Sequence, residues 1–176
     1  GAGPAGQSGD LMRRRTLLAQ AATVCLAGCG FALRRAPELA FQSLYVNAGG
    51  ASPIGNEIRR NLLSLGSLAL ITDPQRQSSA DAILDILSEA REKSVVGVTV
   101  SGEVREFQLR TRVRFRLRTP KGKDLIGETE LLQQRDISFN ESAVLAKEAE
   151  EGLLYRDMQT DIVQQLIRRL AAVTAL

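Results

Sequence analysis

An α+β fold, a two-layer sandwich with two helices packed on one face of a mixed, mostly antiparallel sheet, is what three features of the sequence predict. Segments 52–66 and 140–173 each carry one apolar stripe at helical spacing. Between them, three long runs from Ala82 to Asp136 are separated by tight turns at Ser101-Gly102 and Pro120-Lys121-Gly122-Lys123. In the middle run, QLRTRVRFRLRT at 108–119, an arginine stands at every second position. Side chains of a strand alternate between faces, so Arg110, Arg112, Arg114, Arg116 and Arg118 share one face and Leu109, Val113, Phe115 and Leu117 the other. Helices are expected over the apolar face, which leaves the arginines uncovered.

In chain order, residues 1–11 read as an upstream extension and are set aside. Residues 12–28 have a basic start (Arg13, Arg14, Arg15), an apolar run of about a dozen residues and a small-residue exit, the layout of a secretory signal. The run is too short to span a bilayer as a helix. Its end, Leu26-Ala27-Gly28-Cys29, resembles the bacterial lipobox, in which the cysteine after the cut carries diacylglycerol and an N-acyl chain. Cys29 is thus the expected lipidation site, residues 29–40 the lipid-anchored tether, and 41–176 a single domain. Three acyl chains hold far more firmly than the marginal grip of one. Gly30 is not the aspartate that retains bacterial lipoproteins in the inner membrane, so the expected address is the outer membrane, periplasmic side.

Phe41 to Asn47 is a short strand-like run, and Ala48-Gly49-Gly50-Ala51 a turn. The first helix follows: Ser52 caps it, Pro53 fits its first position, Ile54, Ile58, Leu62 and Leu65 form its stripe, and Gly66 stops it. Leu68 to Thr72 reads as another short strand. The three long strands are Ala82 to Val100 with a polar middle, Phe107 to Thr119, and Asp124 to Asp136. Asn140 is placed to cap a helix reaching about Val173, in which Leu154, Met158, Ile162, Leu166 and Leu170 recur every four residues.

Composition narrows the chemistry. The formal charge is +3, but removing residues 1–28 takes three of the 23 basic residues and one of the 20 acidic ones, leaving 20 against 19. The arginine comb is therefore a local feature on a nearly neutral chain, and with Phe115 on the opposite face to the arginines a nucleic-acid partner is not expected. The chain contains no histidine and two cysteines, Cys25 and Cys29, one leaving with the signal and the other acylated. Ser-His-Asp and Cys-His catalysis and His- or Cys-based metal sites are excluded, no glycine-rich phosphate loop is present, and no enzyme and no cofactor beyond the lipid on Cys29 is expected. Glu128 and Glu130 can sit opposite some of the arginines as cross-strand partners, leaving residual positive charge suited to phosphate or carboxylate.

Four motifs in order resemble a known family. Cys29-Gly30-Phe31-Ala32-Leu33-Arg34, Glu106-Phe107-Gln108-Leu109, Ala143-Val144-Leu145-Ala146-Lys147-Glu148 and Ile167-Arg168-Arg169-Leu170 are similar to the start, strand entry, helix opening and helix ending of the lipopolysaccharide-assembly lipoprotein family LptE. The resemblance covers essentially all of residues 29–173. It implies a lipoprotein that plugs the lumen of the β-barrel LptD, supports assembly of that barrel and assists delivery of lipopolysaccharide to the outer leaflet. By the same resemblance Lys147 is a lipopolysaccharide-binding candidate, whereas Val100 stands where the family has a second basic residue. Arg110, Arg112 and Arg114 are candidates to substitute for it, and Arg116 and Arg118 candidates for the partner interface. The alternative is a free-standing, periplasm-facing binder or carrier of anionic lipid.

Overall fold

The computed structural model describes residues 39–66 and 68–175; the signal segment, Cys29 and most of the expected tether lie outside the described residues. The elements are β1 (Ser43–Asn47), α1 (Pro53–Ser64), β2 (Ala69–Ile71), β3 (Ala82–Val98), β4 (Val104–Arg118), β5 (Asp124–Ser138) and α2 (Val144–Ala171). One mixed sheet has the order β2-β1-β3-β4-β5. β1 runs parallel to both β2 and β3, and β3, β4 and β5 form an antiparallel meander. This is the expected α+β arrangement.

The core lies where β4 alternation put it. Val113, Phe115 and Leu117 are fully buried beneath Ile58 and Leu62 of α1 and Ile162, Leu166 and Leu170 of α2. Leu109 is buried in a second cluster with Ile137 and Met158. No helix of the described residues is long and apolar enough to cross a membrane.

Local signals act as their chemistry requires. Ser52 Oγ accepts the Gly55 N–H at 2.7 Å, and Gly66 at φ 68 ends the first helical segment. Gly102 and Gly122, with φ of 87 and 88, turn the two hairpins. The polar middle of β3 remains continuous strand because Glu89, Arg91 and Lys93 find partners on the helix side: Ser52, Gln159 and Glu151. Asn140 caps a short 3₁₀ turn, Glu141–Ala143, so α2 begins at Val144 rather than directly after the cap. The link from β2 to β3 crosses the outer face, where Ala80 packs with Tyr45 and Ile83.

Candidate functional site

The arginine comb projects from the face of β4 that, among the described residues, carries no helix. Leu109, Thr111, Val113, Phe115 and Leu117 are buried, while the five arginines between and beyond them are half-buried or exposed. Thr111 occupies an inward position among these apolar residues, and its hydroxyl has no hydrogen-bond partner.

Register decides what each guanidinium meets. Arg114 stands opposite Glu130 on β5 and Ser88 on β3, and it pairs with Glu128. Arg112 lies between Glu92 and Glu130, at 3.8 and 3.6 Å. Arg116 and Arg118 both donate to Asp85, through Nε at 2.9 and 2.7 Å. Arg110 donates to Gln108 at 2.8 Å and, among the described residues, has no carboxylate within ion-pairing distance.

Asp85 is the fixed point of this face. It is only 3% exposed, and Asn47 Nδ2 donates to it at 2.7 Å as well. Burial alone would raise its pKa, but the hydrogen bonds from Arg118, Asn47 and Arg116 outweigh that and hold the carboxyl below the ordinary 3.8.

Glu128 and Glu130 do sit opposite arginines, as the sequence suggested. Asp85 and Glu92 were missed, and they bring the count to four carboxylates for five cations, so the residual positive charge of this face is smaller than two glutamates alone would leave. The signal for Asp85 was present in Ile83-Leu84-Asp85-Ile86-Leu87, an acid inside an apolar run. Such a residue is kept charged only where donors surround it. Glu92 carries no comparable signal, because its role depends on register.

Lys147 is on the other side of the sheet. It donates to Ser138 at 3.0 Å and to Glu150 at 2.9 Å, and with Lys93, Phe107 and Phe139 it borders a cavity of about 70 Å³ under the start of α2. Lys93 Nζ lies 4.3 Å from the Phe107 ring centroid and is paired to Glu151. The fold therefore does not bring Lys147 together with Arg110, Arg112 or Arg114.

Comparison with known proteins gives a consistent set of likenesses. The family model LptE, lipopolysaccharide-assembly, matches residues 41–170. The LPS-assembly lipoprotein LptE of Yersinia enterocolitica is 30% identical over 168 residues, 93% of this chain and 79% of the relative. Its namesake from Pectobacterium atrosepticum is 28% identical over 92% of this chain and 88% of its own. The solution structure of an uncharacterized lipoprotein B from Nitrosomonas europaea aligns with a TM-score of 0.70 at 35% identity, covering 82% of this chain and 92% of that one. The rare lipoprotein B of Shewanella oneidensis shares the fold, with a TM-score of 0.62 at 20% identity over 74% of this chain and 94% of its own.

Proposed function

The chain belongs to the LptE family of lipopolysaccharide-assembly proteins, and from that premise we propose that it is a non-enzymatic outer-membrane lipoprotein, anchored through Cys29, that plugs the lumen of the barrel LptD, helps to assemble it and assists delivery of lipopolysaccharide to the outer leaflet. The observation that carries this reading is the helix-free sheet face, lined with arginine–carboxylate pairs. A water-lined barrel interior accepts a surface that is polar, nearly neutral and rich in donors and acceptors. An unpaired cationic surface would instead require a counter-charge from its partner. Arg116 and Arg118, immobilised by Asp85, present a rigid element to such a wall, and Arg110 keeps guanidinium donors for a phosphate or carboxylate.

The test is purification of the C-terminally tagged chain from outer membranes in detergent. A stoichiometric large β-barrel is expected, and Arg112→Glu/Arg114→Glu should reduce its recovery. Recovery of the chain alone, carrying phosphorylated glycolipid, overturns the plug and favours the free-standing lipid binder.

A further inference from the structure

Among the described residues, five exposed cations without a carboxylate partner stand together at one end of the sheet, whereas the others without one, Arg59, Arg60, Arg91, Arg105, Arg110 and Arg156, are scattered over α1, β3, β4 and α2. Lys121 and Lys123, in the turn from β4 to β5, line one open groove with Ser78, at the end of the 3₁₀ turn that carries Arg76. On the far side of Leu125 and Ile126 a second groove is bordered by Arg169, in the last turn of α2 next to Arg168. All five cations are exposed, and none is within ion-pairing distance of a carboxylate among the described residues. Three acids lie nearby, Asp73, Asp81 and Asp124, so five cations leave a local excess of two positive charges among the described residues. Asp73 accepts from the Gln75 amide, Asp81 accepts from the Gln42 and Ser43 amides, and Asp124 stands opposite Arg118 in the strand register. At the opposite end the lysines at the cavity are matched by Glu150 and Glu151, and the exposed Arg105 has Glu103 and Glu106 close to it in sequence.

This basic end is also where the chain enters the domain, since Asp81 both binds the Gln42 and Ser43 amides and lines the groove of Lys121 and Lys123. Leu39 stands ten positions after Cys29, a reach of at most about 35 Å when fully extended. A lipid on Cys29 thus keeps this end within about 35 Å of a bilayer surface, a limit the β3–β4 hairpin tip does not share. We propose that Arg76, Lys121, Lys123, Arg168 and Arg169 form a rim that rests on the anionic phospholipid headgroups of the membrane holding the anchor. The inference relies on the lipoprotein reading of Cys29. Its consequence is orientational: with the basic rim on the headgroups, β3, β4 and β5 extend away from them and the arginine face points to one side. Apolar Leu125, Ile126 and Val173 beside Arg169 suit the headgroup boundary.

The test uses the full chain carrying Cys29→Ser, co-sedimented with phosphatidylcholine vesicles and with vesicles containing roughly 30% phosphatidylglycerol. The readout is the ratio of anionic to neutral binding, compared between variants that all carry the same N-terminal segment, so that its apolar run and its Arg13, Arg14 and Arg15 contribute alike to each. With each basic residue near an anionic surface contributing about fivefold, Lys121→Glu/Lys123→Glu/Arg169→Glu should lower the ratio at least ~100-fold, whereas Arg112→Glu/Arg114→Glu leaves it within about threefold. High salt should remove the preference. The milder Lys121→Gln/Lys123→Gln, expected to lower the ratio ~25-fold, guards against a folding defect. A rim variant that binds like its parent overturns the proposal, as does a comb variant that loses as much. Palmitate labelling at Cys29 reads the premise separately: absent labelling removes the anchor and the placement with it, while labelling with no rim effect overturns the rim alone.

Discussion

Arg118 is paired in strand register with Ile83 yet donates its Nε–H diagonally to Asp85 at 2.7 Å. With Arg116 and Asn47 donating to the same carboxylate, β1, β3 and β4 are tied together on the face opposite α1 and α2. Hydrogen bonds to a buried charge are among the stronger ones, so Asp85→Asn should lower stability by about 2 kcal/mol at neutral pH. The sign with pH follows from the depressed pKa. The folded state binds this proton less readily than the unfolded state, so the contribution is complete above the ordinary carboxylate value and is lost as pH falls through it and below. Urea midpoints measured downward from about pH 5 should fall more steeply for the parent chain than for Asp85→Asn. Parallel curves would show that Asp85 is not the responsible group.

The pairs nearer the middle of the comb have a different standing. Arg112 and Arg114 are substantially exposed, at 38% and 48%, and exposed ion pairs contribute some tenths of a kcal/mol each. Arg112→Gln/Arg114→Gln should therefore change unfolding stability by less than ~1 kcal/mol. Phe115→Ala, on the same strand but facing the core, should cost ~3–5 kcal/mol. Denaturant titration of the two variants side by side separates the roles. A comb variant as destabilised as Phe115→Ala would make the arginines structural and weaken their assignment to an interface.

Alternation in β4 placed Val113, Phe115 and Leu117 in the core and the arginines outside because period-2 patterning is a local property of the chain. The caps at Ser52 and Asn140 and the turns at Gly102 and Gly122 were legible for the same reason. What could not be read was pairing between segments distant in sequence. The diagonal reach of Arg118 to Asp85, the placement of Glu92 beside Arg112 and the parallel seating of β1 between β2 and β3 all depend on register, which no single segment encodes. Lys147 shows the same limit: its motif located it on a helix, but only the packing of α2 shows that it faces away from the comb.

At the start of α1 two neighbouring positions make opposite demands. Ser52 Oγ accepts the Gly55 amide and also bonds Glu89, so Ser52→Ala should cost about 1 kcal/mol or more. Alanine at position 55 would improve helix propensity, yet its Cβ would stand 2.5 Å from Ala48 Cβ and 2.8 Å from Ser52 Oγ. Displacing the loop and the cap together should outweigh a propensity gain of about 1 kcal/mol, leaving Gly55→Ala less stable than the parent. A higher melting temperature for Gly55→Ala would contradict this packing.

For lipopolysaccharide, the candidate basic residues should separate by what already occupies their donors. Arg114 is engaged by Glu128, and Lys147 by Glu150 and Ser138, so a phosphate must displace a partner at each. Among the described residues Arg110 has only the neutral Gln108 amide oxygen, and its exchange for a phosphate trades a neutral acceptor for a charged one. In the Cys29→Ser chain, Arg110→Gln should weaken lipopolysaccharide binding about tenfold, while Arg114→Gln and Lys147→Gln each change it by less than about threefold, since the donors lost there are already engaged by Glu128 and by Glu150 and Ser138. Affinity measured with the phosphorylated glycolipid and with its dephosphorylated form checks the assignment, and the Arg110 effect should vanish with the phosphates. A larger loss at Lys147 that depends on phosphate would move the lipid site to the helix-covered side of the sheet.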